Sequence, residues 1–204
     1  MMEQVVHWIN DEELPLGRPV PLSTVGMRSA LIAETAFRRA AVDAPLFPEN
    51  DDAEQAAAAM ISQLPRGQFG DATLTESEKS ETRLIQQNLT RFSSTLGDAE
   101  YFPSIPGCGV VNNSIGDILS FSHLVEVKTV SRPFRSTDLR QLLTYCAMLR
   151  ASDIPIETIS LYNPRRAYRF TDDLEDLSFG LCGRSAVELM QDIINTMVGF
   201  QVSA

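Results

Sequence analysis

Apolar and polar positions divide the chain into two regimes. Up to about residue 98 the apolar positions recur at helical spacing. Beyond that they fall in short runs rich in β-branched and aromatic residues. In the first regime Pro15, Pro19 and Pro21 break the chain, so the first quarter reads as loosely organised. Ser23 or Thr24 then offers a cap ahead of a helix over GMRSALIAETAFRRA. DAPLFPENDD is a second breaker. DAEQAAAAMISQL reads as a short helix, because alanine costs least there and acids at its start suit the dipole. PRGQFGDAT reads as a loop. A firmer helix follows, opened by a Thr75–Glu78 capping box, with Leu84, Ile85, Leu89 and Phe92 on one apolar face and Glu81 on or beside it.

In the second regime AEYFPSIPG, NNSIGDILSF and HLVEVKTV read as strands. Phe121-Ser122-His123 leaves room only for a tight turn, which makes the last two an antiparallel hairpin. Ser136 or Thr137 can cap a helix over DLRQLLTYCAMLRA. IETISLY, NPRR and AYRF read as strand, turn and short strand. A last helix opens at Ser185 with Glu188 three residues on, carrying Val187, Met190, Ile194, Met197 and Val198. The order α-β-β-β-α-β predicts an α/β fold, a mixed sheet with helices packed against it. The crossover helix makes the strands on either side of it parallel. Residues 1–70 read as an N-terminal helical extension and 71–204 as the α/β core with a C-terminal helix.

With 204 residues, 44% of them hydrophobic and 22% charged, the chain can bury a substantial core and is not a disordered one. No run approaches the eighteen or so apolar residues of a membrane span, so no membrane partner is expected. The opening MMEQVVHWINDEELPLG lacks a secretory pattern, and three scattered cysteines with two histidines argue against a disulfide framework or a structural zinc. A cytoplasmic protein is the expectation, with Cys146 and Cys182 as small buried hydrophobes and Trp8 as an anchor for the N-terminal segment or a partner. The net charge of −10 disfavours a polyanion partner, but its distribution does not. Lys128 to Arg169 holds eight basic residues and three acids, leaving nine bases and twenty-four acids elsewhere. Such a segment can hold nucleic acid on one face of an acidic chain.

The chemistry gathers at Asp117, Glu126-Val127-Lys128, Gln141 and Tyr145. Glu126 and Lys128 point to one side of their strand, and Val125, Val127 and Thr129 to the other. With a turn near Ser122, the hairpin sets Asp117 roughly opposite Lys128 or Val127. Two carboxylates and an ammonium on one patch make sense around a hard cation such as Mg²⁺ or Mn²⁺. The lysine can then orient a water or offset charge building on phosphorus. Gln141 and Tyr145, four apart, share one helix face. His123 reads as a solvated hairpin tip.

GDILSF, LVEVKT and RQLLTY resemble the signature of the PD-(D/E)xK nuclease superfamily, especially its RecB-like branch, over about residues 76 to 170. The resemblance implies a restriction-endonuclease-like core. It makes Asp117 and Glu126 the metal-binding acids, with the Val127 carbonyl beside them, Lys128 the catalytic lysine, and Gln141 with Tyr145 the auxiliary motif. It also implies a glutamate on the helix before the sheet; Glu81 matches that place, with Glu78 and Glu34 as further candidates. Gly116 stands where the superfamily's name has proline. The function implied is magnesium-dependent cleavage of phosphodiester bonds in DNA, or RNA, in bacterial phage defence, restriction or repair. Arg132, Arg135, Arg165 and Arg166 would grip phosphates, and a protein partner would choose the target; an oligomer stays open. Two other classes compete: a silent module keeping the nuclease-like fold as an assembly scaffold, and an acidic mimic of nucleic acid.

Overall fold

The structure, a computed structural model, describes residues 2–12, 14–42, 53–64 and 72–202. The breaker at 43–52 and most of the loop at 65–73 lie outside the described residues. The first elements are α1 (Met2–Asp11), β1 (Leu14–Pro15), α2 (Met27–Val42), α3 (Ala53–Ser62) and α4 (Glu76–Ser93). Four short strands follow, β2 (Glu100–Tyr101), β3 (Ser104–Ile105), β4 (Ser114–Ile115) and β5 (Ile118–Ser120), and then β6 (His123–Val127). The chain ends with α5 (Ser136–Ala151), β7 (Thr158–Asn163), β8 (Tyr168–Asp173), α6 (Leu174–Cys182) and α7 (Ala186–Val202).

Six strands form one mixed sheet in the order β1-β8-β7-β6-β5-β2, and β3 and β4 pair separately. β6 and β7 are parallel across the α5 crossover, as the element order requires, and the other neighbours are antiparallel. The α-β-β-β-α-β order is present as α4, β2, β5, β6, α5 and β7. Alternation along β6 sends Leu124 to one side and Val125 to the other. Leu124 joins α1, α5, α6 and α7, whereas Val125 joins α2 and α4 with Ile118 and Tyr162. The result is three layers, helices on both faces of the sheet. No helix among the described residues is long and apolar enough to cross a membrane.

The described elements ahead of α4 are woven into this body. α1 buries Val6 and Ile9 against the α5 side, and β1 completes one edge of the sheet by pairing with β8. A helix at α1 departs from the expected loose first quarter; its apolar stripe is only Val6 and Ile9, too short to stand out in the sequence. α6 was likewise not expected, because its cap, Asp173, sits inside an acidic run directly after a strand.

α4 opens as predicted: Thr75 Oγ1 accepts from the Glu78 N–H, and the Glu78 carboxylate accepts from the Thr75 N–H. Its buried stripe, however, is Glu78, Glu81, Thr82, Ile85, Asn88, Leu89 and Phe92, with Leu84 turned outward and exposed. Phe92 stacks on Tyr162 with ring centroids 4.2 Å apart. α5 is not capped by Ser136 or Thr137. Asp138 reaches back instead, accepting from the Arg135 N–H at 2.9 Å. Among the described side chains of α7, Met190 and Met197 are buried, while Val187 and Val198 are exposed. Trp8 meets Phe170 edge-on yet stays partly exposed, and Cys146 is buried whereas Cys182 is exposed.

Candidate active site

The hairpin turn is Phe121-Ser122, with Phe121 in the left-handed region, so β5 and β6 pair as Ser120–His123, Leu119–Leu124 and Ile118–Val125. Continued by one pair, this register sets Asp117 opposite Glu126, not opposite Val127 or Lys128. The two-residue turn shifts the centre of the hairpin back by half a residue from the expected Ser122. Directly opposed side chains in an antiparallel pair lie close enough to touch. The Asp117 and Glu126 carboxyls are close enough for each charge to bear on the other.

Each member of the predicted group then has a defined partner. Asp117 Oδ2 accepts from the Val127 N–H at 2.6 Å. Lys128 Nζ donates to Glu126 Oε1 at 2.5 Å and to Gln141 Oε1 at 2.9 Å. Gln141 Nε2 donates in turn to Tyr145 Oη at 3.2 Å. Glu126 and Lys128 share the α5 side of β6, which brings the strand pair under the helix pair. Four side chains, from β6, the residue after it and α5, thus form one hydrogen-bonded chain, with Asp117, the residue before β5, opposite its first member. Gly116 suits its place because its N–H donates to the Pro103 carbonyl at 2.9 Å, a bond proline cannot make.

Electrostatically the site is short of positive charge. Burial, reinforced by the Glu126 charge, pushes the Asp117 carboxyl up to about 8. Burial also raises Glu126, against the pull of Lys128. Two neighbouring acids, Glu126 buried and Asp117 half-buried, with one ammonium therefore keep a proton between them near neutrality. The side-chain oxygen donors gathered here are these two carboxyls. Among the described residues there is no group of three or more acid, histidine or cysteine side chains set to hold a metal. Two carboxyls are few protein donors, so an ion held here would keep several waters, as magnesium does.

The raised Asp117 has a consequence for stability. The folded protein holds the proton up to about pH 8, whereas an unfolded aspartate releases it near pH 4. Between those values the folded state binds more protons, so this group makes stability fall as pH rises. Asp117→Asn keeps an acceptor for the Val127 N–H and removes the titration. Its melting temperature is expected to gain on wild type between pH 5 and pH 8, by about 2 °C or more, the shift of roughly 1 kcal/mol in a chain this size. Melting curves of both proteins across that range check it; a difference independent of pH contradicts it.

Other expected site residues are placed differently. Glu81 is not turned to the acids. It forms a buried ion pair with Arg165, Nη1 to Oε1 at 2.5 Å, and its Oε2 accepts from the Ser23 N–H at 2.8 Å. Arg165 is 2% exposed and so is no surface phosphate clamp. Its burial follows from Glu81 on α4 lying across from the β7–β8 turn. Glu78 is bound to Arg28, whose guanidinium holds it down to about 2. Besides Glu126, the acid whose charge bears on Asp117 is Glu34 of α2. Glu34 is itself raised by burial and is paired to Arg38 at 2.8 Å. Its signal in the sequence is its place on α2 facing the sheet, one turn from the buried Leu31.

Arg132 is held by Asp138 through both guanidinium nitrogens, at 2.6 and 2.9 Å, and that guanidinium keeps Asp138 low in spite of burial. Arg166 lies over the Tyr168 ring, and Arg135 is exposed. His123 is not a solvated tip: it opens β6, bonds Ser160 Oγ at 2.8 Å, and is lowered by burial. A cavity of about 870 Å³ opens beside the acids, with Glu34, Asp117, Val127 and Arg135 in its lining; Glu126 and Lys128 are not part of that lining, and Lys128 bonds Gln141 of α5. Comparison of the chain with family models, with curated proteins and with solved structures found no match.

Proposed function

We propose that this protein is a metal-dependent nuclease that hydrolyses phosphodiester bonds in DNA. The observation that carries the reading is the hydrogen-bonded chain Glu126–Lys128–Gln141–Tyr145 with a second acid, Asp117, set opposite Glu126 by the strand register. A structural ion pair needs only one acid for Lys128. A second acid, held beside the first at the cost of a retained proton, is destabilising, and a divalent ion in place of that proton accounts for it. Asp117 and Glu126 would hold magnesium or manganese with the Val127 carbonyl. When bound, such an ion polarises the phosphate and lowers the pKa of a water. Lys128 orients the attacking water and offsets negative charge as it builds on phosphorus. Gln141 fixes the Lys128 ammonium by accepting one of its hydrogen bonds, and Tyr145 fixes Gln141. Arg135, exposed at the cavity, draws in the phosphodiester backbone.

Supercoiled plasmid, incubated with magnesium or manganese and with wild type, Asp117→Ala or Lys128→Ala, tests the reading. Nicking by wild type that both variants lose is expected; equal traces in all three would remove it. A second readout does not need turnover. Magnesium must displace the shared proton, so it is expected to raise the melting temperature of wild type more at pH 8 than at pH 6, and not that of Asp117→Asn. The scaffold reading has one observation of its own: Trp8 and Phe179 stand exposed on α1 and α6 among acids. Inactivity together with no thermal response to the metal would favour it.

A further inference from the structure

α1 and α6 border a groove of about 550 Å³ that shares no residue with the cavity beside Asp117. Val5 and Trp8 line it from α1, Asp176, Leu177 and Gly180 from α6, and Asp172 from β8. Buried Phe170 meets the Trp8 indole edge-on at 5.3 Å between centroids, yet Trp8 stays 43% exposed. Phe179, three residues beyond Asp176 on α6, is 70% exposed. Large apolar side chains left in water beside a groove mark a surface that is covered in use. Gly180 sits inside a helix, where glycine is the poorest former after proline, and a Cβ built there meets nothing within 4 Å. Its bare backbone leaves the groove open at that point. The electrostatics are one-sided. Neither α1 nor α6 carries a lysine or arginine, whereas residues 172–176 hold four acids in five positions. Asp173 and Glu175 accept from the Glu175 and Ala186 N–H groups. Asp172 and Asp176 are the two in the groove, and among the described residues no lysine, arginine or histidine lines it with them. Burial, with the charges of Asp176 and Asp173, raises the Asp172 carboxyl.

An occupant must answer both the apolar walls and the acids. Nucleic acid and an anionic lipid surface carry the wrong sign for these carboxylates. A second copy of the chain would bring its own net charge of −10 to the same place. A small cation meets Asp172 and Asp176 but leaves Trp8, Leu177 and Phe179 in water. A helix with an apolar stripe flanked by lysine or arginine meets both, since an amphipathic helix lies in an apolar groove with one face and offers charges along its margins. Tryptophan is among the side chains that most often dominate such contacts. We infer that the α1–α6 groove docks a basic amphipathic helix of a partner protein. Its apolar side chains seat between Trp8 and Leu177, over Gly180, and its lysines or arginines meet Asp172 and Asp176. This docking does not depend on whether the chain cuts DNA, and it stands or falls apart from the nuclease reading.

Trp8 is the only tryptophan in the chain, so its emission reports on the groove directly. The probes are two synthetic peptides without aromatic residues. One places leucines on one helix face and lysines on the other; the second has glutamates for the lysines. Full-length wild type is expected to bind the lysine peptide saturably, with Trp8 emission moving to the blue, and to ignore the glutamate peptide. Gly180→Leu fills the groove at a position with room for a side chain. It is expected to melt no lower than wild type and to bind the lysine peptide about tenfold more weakly or worse. Asp172→Asn/Asp176→Asn is expected to weaken binding by about five- to tenfold, the combined size of two exposed ion pairs. Asp98→Asn/Glu100→Asn removes the same charge from exposed positions elsewhere and is expected to bind as wild type does. Equal losses in the two acid variants, or binding untouched by Gly180→Leu, would reduce the effect to the general pull of an acidic chain on lysine and overturn the inference. An unchanged Trp8 emission overturns it as well. A blue shift that grows with protein concentration in the absence of peptide, and is lost in Gly180→Leu, assigns the groove to a second copy and overturns it too. Should Gly180→Leu melt below wild type, the comparison of the two acid variants decides alone.

Discussion

Arg165→Met is expected to destabilise the protein by about 3–5 kcal/mol, lowering the melting temperature by about 6–20 °C. The substitution leaves the Glu81 carboxylate 4% exposed with no cation beside it, and a buried charge without a partner costs far more than the pair contributed. Glu81→Leu/Arg165→Met removes both charges and is expected to recover most of the loss; the Ser23 N–H that Glu81 had accepted lies in an exposed residue and can turn to water. The double-mutant cycle, read from urea or thermal unfolding, isolates the coupling. A single-variant loss below about 1 kcal/mol would mean that the guanidinium is solvated, and would return Arg165 to the phosphate-binding role its place in a turn implies.

The second large effect falls on turnover. Lys128→Ala is expected to slow DNA cleavage by about 10²–10³-fold, the size of losing one preorganised charge aimed at the reacting group. Lys128→Arg is expected not to restore it. The ammonium donates to Glu126 and Gln141 from a single nitrogen, and a planar guanidinium cannot reproduce that geometry with the same two acceptors. Single-turnover rates for the three proteins measure this. Cleavage in the alanine variant within tenfold of wild type would reduce Lys128 to an ion-pair partner of Glu126.

Where local pattern and tertiary packing agree, the sequence was enough. The Thr75–Glu78 box, the Gln141–Tyr145 pairing and the parallel β6–β7 neighbours are consequences of spacing that nothing elsewhere opposes. The misplacements share one cause: a side chain whose partner lies far along the chain. Arg165 looks like a turn arginine until Glu81, more than eighty residues earlier, is seen across from it. Leu84 is exposed because α4 buries the stripe that begins with Glu78 and Glu81, polar residues that find cations in Arg28 and Arg165. Periodicity scored on apolar residues alone rotates such a helix wrongly. Asp117 came within two residues of its true partner, and the error was the length of the turn, which depends on Phe121 accepting a left-handed backbone that aromatic residues seldom adopt. Glu34 stood with Glu78 behind Glu81: α2 ends more than fifty residues before β2, and only the packing of α2 on α4 and the sheet brings Glu34 to Asp117.

The two outer margins of the large sheet are dealt with differently. On one side β2 ends the array after only Glu100 and Tyr101, leaving little ladder to extend. On the other, β8 runs for six residues and is covered by Leu14 and Pro15, with Leu16 and Val20 adding backbone bonds to Ala167 and Arg165. A version trimmed to the apparent catalytic body would uncover that long strand and offer a docking rail to its own copies, so the opening residues act as a guard against self-assembly into aggregates.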